Sequence, residues 1–309
     1  MIRLVNVCFL IILIGCDSKS EQMKYPDTKK DFIQESVFGE KIDDPYRWLE
    51  DFSSVEALAW VKKQNELTDS LIANNYQKKI KADLEDVWIT SDISIPIRRG
   101  NKTFYYLDDG IQQQSIFMMK QCDNCQPKIL IDPNKFSEDG TVSLSDISVS
   151  PNGEYLAYSI SDGGSDWRTW KVLEIDTEKT TDDLIEWSKF SYATWESDSS
   201  GFYYQKYNKP EEALSDINRS PQLFFHKLGD KQEDDVLIYE DRQNPDYSWS
   251  ISVPEKGSYR ILSIGEGTDE RNFLSISLDK DLNFIPLIDE FKATYRFIGG
   301  NEDTLWFFS

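Results

Sequence analysis

The sequence predicts a mainly β protein, a β-propeller preceded by a short helical segment. Three observations carry this. The texture changes at Ile93 from helical spacing to short alternating runs. One turn-plus-strand unit recurs from there onward. Its copies lie about 45–55 residues apart, the length of a four-stranded blade.

The helical segment occupies residues 25–90. Ser53 followed by Glu56 reads as a capping box, after which Ala57, Trp60, Leu67 and Leu71 recur at helical spacing. A second amphipathic stretch places Ile80, Leu84, Val87 and Trp88 on one face. Ahead of both lies Asp44-Pro45-Tyr46-Arg47-Trp48-Leu49-Glu50, a Pro-started turn whose bulky side chains need a surface to pack on.

The repeating region occupies residues 91–309. Ser148-Val149-Ser150-Pro151-Asn152-Gly153 leads into Glu154-Tyr155-Leu156-Ala157-Tyr158. Glu196-Ser197-Asp198-Ser199-Ser200-Gly201 leads into Phe202-Tyr203-Tyr204, and Ser252 to Gly257 leads into Ser258 to Leu262. Weaker copies stand at Gly100-Asn101-Lys102 and at Gly299-Gly300-Asn301. A blade buries its faces only against neighbouring blades, so the unit must repeat. A β-sandwich also stacks short strands, but its turns do not recur at one-blade intervals. The last copy stops within its first strands at Ser309, and we read the chain as truncated there.

Residues 1–16 read as a targeting segment and stand outside the fold. Arg3 precedes the run Leu4 to Ile14, apolar apart from Asn6, which is shorter than the roughly 20 residues a spanning helix needs. The run ends in Leu13-Ile14-Gly15-Cys16, similar to the bacterial lipobox, with Cys16 the lipidation site and residues 17–24 a hydrophilic tether. This implies a lipid anchor in a membrane of the cell envelope, with the protein facing the periplasm or the exterior.

The 309 residues carry 34 Lys+Arg against 55 Asp+Glu, a net charge of −21 that repels phosphate backbones and argues against nucleic-acid binding. Cys122 and Cys125 form a C-x-x-C around a turn-like Asp123-Asn124, between strand-like flanks. A zinc site wants about four N or S ligands, and the single histidine is far off at His226, so the pair reads as a local disulfide or two free thiols, with no metal.

Acyl transfer needs an activated serine, a histidine base, an orienting acid and an oxyanion hole. No G-x-S-x-G occurs. In Gly163-Gly164-Ser165-Asp166-Trp167, the nearest string, Trp167 stands where the second glycine belongs. His226 sits in strand-like Leu223-Phe224-Phe225-His226 and reads as structural. Gly265-Glu266-Gly267 lacks the third glycine of a dinucleotide loop. No catalytic residue and no cofactor is assigned.

Asp44 to Glu50, together with Val61 to Leu67, Asp132-Pro133-Asn134, Ser137 to Leu144, Gly164 to Trp167, Lys189-Phe190-Ser191 and His226 to Gly229, resembles the prolyl oligopeptidase family of serine peptidases, in family order. The resemblance implies an α/β-hydrolase domain built from the helical segment and a C-terminal half, with a seven-bladed propeller inserted between them that gates access to short peptides cleaved after proline. This chain would supply the helical segment, about four blades and the start of a fifth, and would be inactive alone. It also implies that Phe190 lines an outer subsite for a proline-containing peptide; a place in the blade core competes, and alternation leaves its face open. A non-catalytic propeller lipoprotein that binds a peptide or protein partner is the alternative function.

Overall fold

A computed structural model describes residues 23–210, 218–254, 258–278, 282–301 and 303–309. Cys16, the signal segment and most of the tether therefore lie outside the described residues. The chain forms two compact units, Met1–Val87 and Trp88–Ser309.

The first unit opens with a hairpin, β1 (Gln34–Val37) and β2 (Glu40–Asp43). Its two-residue turn places Phe38 and Gly39 at φ 52° and 86°, the left-handed pair that matches strand twist. A short 3-10 turn, Arg47–Glu50, follows, fixed by Arg47, whose Nε reaches Asp44 at 2.6 Å and Nη1 reaches Glu35 at 2.7 Å. Then come α1 (Val55–Ile72) and α2 (Asn75–Trp88).

The N-cap of α1 is Ser54 and not the expected Ser53. Ser54 Oγ accepts from the Ala57 N–H at 3.2 Å, while the Ser53 hydroxyl donates to Asp51 at 2.8 Å and Glu56 pairs with Lys29 at 3.1 Å. Those two side chains are engaged elsewhere, so the reciprocal box cannot close. Ala57 is the only buried hydrophobic residue among the described residues of this unit, and Leu58, Val61, Leu84 and Val87 are exposed. Among the described residues no helix is long and apolar enough to cross a membrane.

The second unit is built from antiparallel blades of four strands, the first position of blade one being split into two short strands. Blade one comprises β3 (Asp92–Ile93) and β4 (Ile97–Arg99), both paired with β5 (Lys102–Asp108), then β6 (Ile116–Lys120) and β7 (Lys128–Ile131). Blade two runs β8 (Val142–Val149), β9 (Tyr155–Asp162), β10 (Trp167–Glu174), β11 (Lys179–Lys189). Blade three runs β12 (Thr194–Trp195), β13 (Gly201–Lys206), β14 (Gln222–Lys227), β15 (Val236–Glu240). Blade four runs β16 (Tyr247–Ser252), β17 (Arg260–Glu266), β18 (Asn272–Ser277), β19 (Ile285–Ile288). A two-stranded sheet, β20 (Arg296–Gly300) and β21 (Leu305–Phe308), ends the chain. The copies at 100–102, 148–153 and 196–201 each lie in the hairpin between the first and second strand of their blade. No sheet among the described residues joins β20–β21 back to blade one.

The core sits between blades. Period-2 alternation sends adjacent residues of one strand into different layers. Leu156 and Tyr158 of β9 face blade one with Phe104 and Phe117, while Ala157 faces blade three with Trp195 and Phe202. Tyr203 joins Trp249 and Leu262 between blades three and four, and Ile261 packs with Tyr259, Leu274 and Phe297 against the last sheet. Each blade junction also holds a buried charged group. Lys102 reaches Asp176 at 2.6 Å, His226 bridges Asp183 and Asp235, and Arg260 reaches Glu196 at 2.7 Å.

Candidate functional site

The segment from Trp187 to Ser191 leaves blade two and crosses to blade three. Trp187 and Phe190 both hold left-handed backbone, at φ 61° and 52°, a conformation that costs an L residue roughly 1–2 kcal/mol. Neighbouring bonds hold it in place. The Ser188 hydroxyl donates to Gln205 O at 2.9 Å and accepts from the Trp170 indole N–H at 3.1 Å. The Gln205 N–H donates to Ser191 Oγ at 2.7 Å, and the Tyr207 N–H to Trp187 O at 3.0 Å. Ser188 also pairs with Lys206, which joins blades two and three into one sheet.

The consequence is that Phe190 points outward. Its side chain is 59% exposed and does not belong to a blade core. With the exposed Tyr192 it stands at a pocket of about 440 Å³ between blades three and four. Thr194, Leu223, Ser248, Trp249 and Gly265 are among the other residues of the wall, and no residue lining it carries a charge. Lys189 lies beside the pocket, its ammonium 5.3 Å from the Phe190 ring and 5.1 Å from the Trp167 ring. Aromatic faces with nearby hydroxyls suit a neutral ligand that offers apolar surface and a few hydrogen-bonding groups.

His226 is closed to acid–base work. It is fully buried on β14, with Nδ1 bonded to Asp235 at 2.7 Å and Nε2 to Asp183 at 2.9 Å. Burial alone depresses the imidazole, but the two carboxylates overcome it and lift the pKa to about 9. The ring is therefore doubly protonated at neutral pH, with both N–H groups engaged. Gly163-Gly164-Ser165 is the tip of the β9–β10 hairpin, where Ser165 Oγ accepts from the Trp167 N–H at 3.1 Å. That is no strand-to-helix elbow. Among the described residues no group of three or more His, Cys, Asp or Glu is placed to hold a metal ion. Cys122 and Cys125 are joined as a disulfide in the β6–β7 turn.

A second pocket, about 510 Å³, marks where the first strands converge. Arg98 and Arg99 come from blade one, Ser148 and Val149 from blade two, Thr194 and Trp195 from blade three, and Val253 from blade four. Residues from four successive blades meeting in one place define the axis of a propeller. Sequence reasoning singled out Phe190 but not its partners Tyr192, Ser248 and Gly265. The Ser-Trp-Ser-Ile alternation over 248–251 was the available signal, since it leaves hydroxyls on the face of β16 opposite the core.

Residues 26–309 match the family described as prolyl oligopeptidase, N-terminal beta-propeller domain. The chain belongs to this family. The prolyl endopeptidase of Elizabethkingia miricola is 36% identical over 290 residues, which span 93% of this chain and 41% of that protein. That of Elizabethkingia meningoseptica is 35% identical over 293 residues, spanning 94% and 41%. Among solved structures, a prolyl endopeptidase studied for inter-domain dynamics superposes with a TM-score of 0.79 at 27% identity, covering 89% of this chain and 41% of that one. Prolyl oligopeptidase B of Galerina marginata, bound to a 35-residue hydrolysis and macrocyclization substrate, superposes with a TM-score of 0.77 at 25% identity, covering 92% and 44%. The chain thus spans less than half the length of these prolyl oligopeptidase relatives, and the mainly β propeller expected of the family is the fold observed.

Proposed function

We propose that this chain is the propeller-bearing part of a prolyl oligopeptidase-type serine endopeptidase that hydrolyses short proline-containing peptides, with the serine, histidine and acid of the reaction supplied by polypeptide outside these 309 residues. In this reading the propeller admits and positions the peptide, and Phe190 lines an outer subsite where it stacks on a residue of that peptide. The observation that carries the reading is the exposed Phe190, held outward on strained backbone at the rim of an uncharged aromatic and hydroxyl pocket. Family membership supports it.

The test is a photocrosslink. Phe190 replaced by a benzoyl-phenylalanine should label a short proline-containing peptide, and excess unlabelled peptide should suppress the label. The same group placed at exposed Leu237, on the outer strand of blade three, should not label. Equal labelling from both positions would overturn the subsite.

The lipobox motif supports a further part of the proposal, that Cys16 is acylated and anchors the protein to an envelope membrane. The expressed precursor should take up labelled fatty acid, and Cys16→Ser should abolish it. Uptake unchanged in Cys16→Ser would remove the anchor.

A further inference from the structure

The C-x-x-C of blade one has no part in the peptide site, yet it lies next to the axial pocket. Cys122 and Cys125 close a ring around Asp123 and Asn124 at the tip of the β6–β7 hairpin. The chain reversal itself survives without the crosslink, because the Cys125 N–H donates to Cys122 O at 3.1 Å; what the crosslink adds is the covalent ring that confines Asp123 and Asn124. A disulfide spanning two intervening residues also removes little chain entropy from the unfolded state. Both cysteines are half-buried rather than sealed in the core. The bond is therefore dispensable to the fold and not sealed off from exchange.

Its position gives the exchange a consequence. Asp123, inside the ring, accepts from Arg98 Nη2 with both carboxylate oxygens, at 2.8 and 3.0 Å. Arg98 sits on β4, the short first-position strand of blade one, and lines the axial pocket with Arg99, Ser148 and Thr194. The ring thus sets where Asp123 stands, and Asp123 sets where Arg98 stands.

We propose that Cys122–Cys125 is a reversible dithiol–disulfide exchange site whose redox state decides whether Arg98 is held at Asp123 or released into the axial pocket. The reductant is a dithiol. One of its thiolates attacks a cystine sulfur, forming a mixed disulfide and expelling the other cysteine as a thiolate. The second thiol then attacks the mixed disulfide, leaving the reagent as a cyclic disulfide and the protein with two thiols. Two electrons pass to the protein, and the reagent's two protons end on Cys122 and Cys125. Once the ring opens, Asp123 gains the freedom of an ordinary turn residue, and its exposed pair with Arg98 loses the fixed geometry that favours it.

The experiment uses the full chain, with and without dithiothreitol, under conditions where circular dichroism shows the fold intact. Maleimide labelling is read on the peptide containing Cys122 and Cys125, and phenylglyoxal modification on the peptide containing Arg98. Reduction should yield two maleimide adducts without unfolding and speed Arg98 modification at least threefold. Cys122→Ser/Cys125→Ser should behave as the reduced protein does. Asp123→Asn should modify fast in both redox states. A pair that resists maleimide until urea unfolds the chain would overturn the exchange site. An Arg98 rate unchanged by reduction would overturn the coupling.

Discussion

His226 on blade three donates through Nε2 to Asp183 on blade two across 2.9 Å. The opposite ring nitrogen donates to Asp235 at 2.7 Å, and Asp183 also accepts from the Gly229 N–H at 2.6 Å. The single imidazole of the chain is therefore a charged staple between two blades. Replacing one member of such a buried set leaves uncompensated charge, which costs about 3–5 kcal/mol.

The pH dependence of stability follows from the two shifts. The folded state raises His226 from 6.5 to about 9, so its contribution is complete below the lower value and is lost as pH rises through the upper one. Burial pushes Asp183 up, but the His226 bond, the Thr181 hydroxyl and the Gly229 N–H together bring it below 3.8. Its contribution is present above that value and is lost as pH falls through the folded one. Urea unfolding should show a plateau from about pH 5 to 6, with losses on both sides. His226→Asn should lower the plateau by about 3 kcal/mol and flatten the alkaline limb. An alkaline limb of wild-type steepness in His226→Asn would contradict the staple.

Arg260 and Glu196 make the corresponding bond between blades four and three, with Nη2 to Oε1 at 2.7 Å, Nε to Oε2 at 3.2 Å, and the Tyr203 hydroxyl on Oε2 at 2.8 Å. Arg260→Met should cost about 3–5 kcal/mol because the buried Glu196 loses its cation. Arg260→Met/Glu196→Gln should cost less than either change alone, since no bare charge remains. A double-mutant cycle by urea unfolding checks this, and strictly additive losses would contradict it.

The first unit and the blades should differ in protection. Within Met1–Val87 only Ala57 is a buried hydrophobic residue among the described ones, whereas blades two and three are packed on both faces. A helix without an apolar partner has little beyond its own marginal propensity to hold it. Hydrogen exchange should be fast across residues 55–88 and in β20–β21, and slowest in β9, β10 and β13. Equal protection throughout would mean that the helices have a core of their own.

Much of the fold was legible because propeller physics writes itself into the chain at a fixed interval. The Ser148–Gly153 and Glu196–Gly201 turns each mark the start of a blade's second strand, and the Tyr-Leu-Ala-Tyr alternation marks the two layers its blade serves. The β1–β2 hairpin went unseen because its turn rests on Phe38, a bulky residue that rarely takes positive φ. The cap shifted by one because Ser53 is taken by Asp51 and Glu56 by Lys29, partners that the Ser53-to-Glu56 spacing does not reveal. At the site, Phe190 was visible as a residue but its orientation was not. That depends on Ser188, Ser191 and Gln205, whose mutual bonds join separate strands. Asp183 and Asp235 likewise stand far from His226 in sequence and meet it only when blades two and three pack.

If these residues are the propeller-bearing part of a prolyl endopeptidase, as proposed, its catalytic groups lie in polypeptide outside them. The direct measurement compares the 309-residue chain with the product of the uninterrupted reading frame that runs through its last codon, on a chromogenic proline-containing peptide. The longer product should cleave after proline through a serine in a G-x-S-x-G, and the 309-residue chain should show no cleavage above background. A frame that stops at Ser309, or cleavage by the 309-residue chain alone, would contradict the proposal.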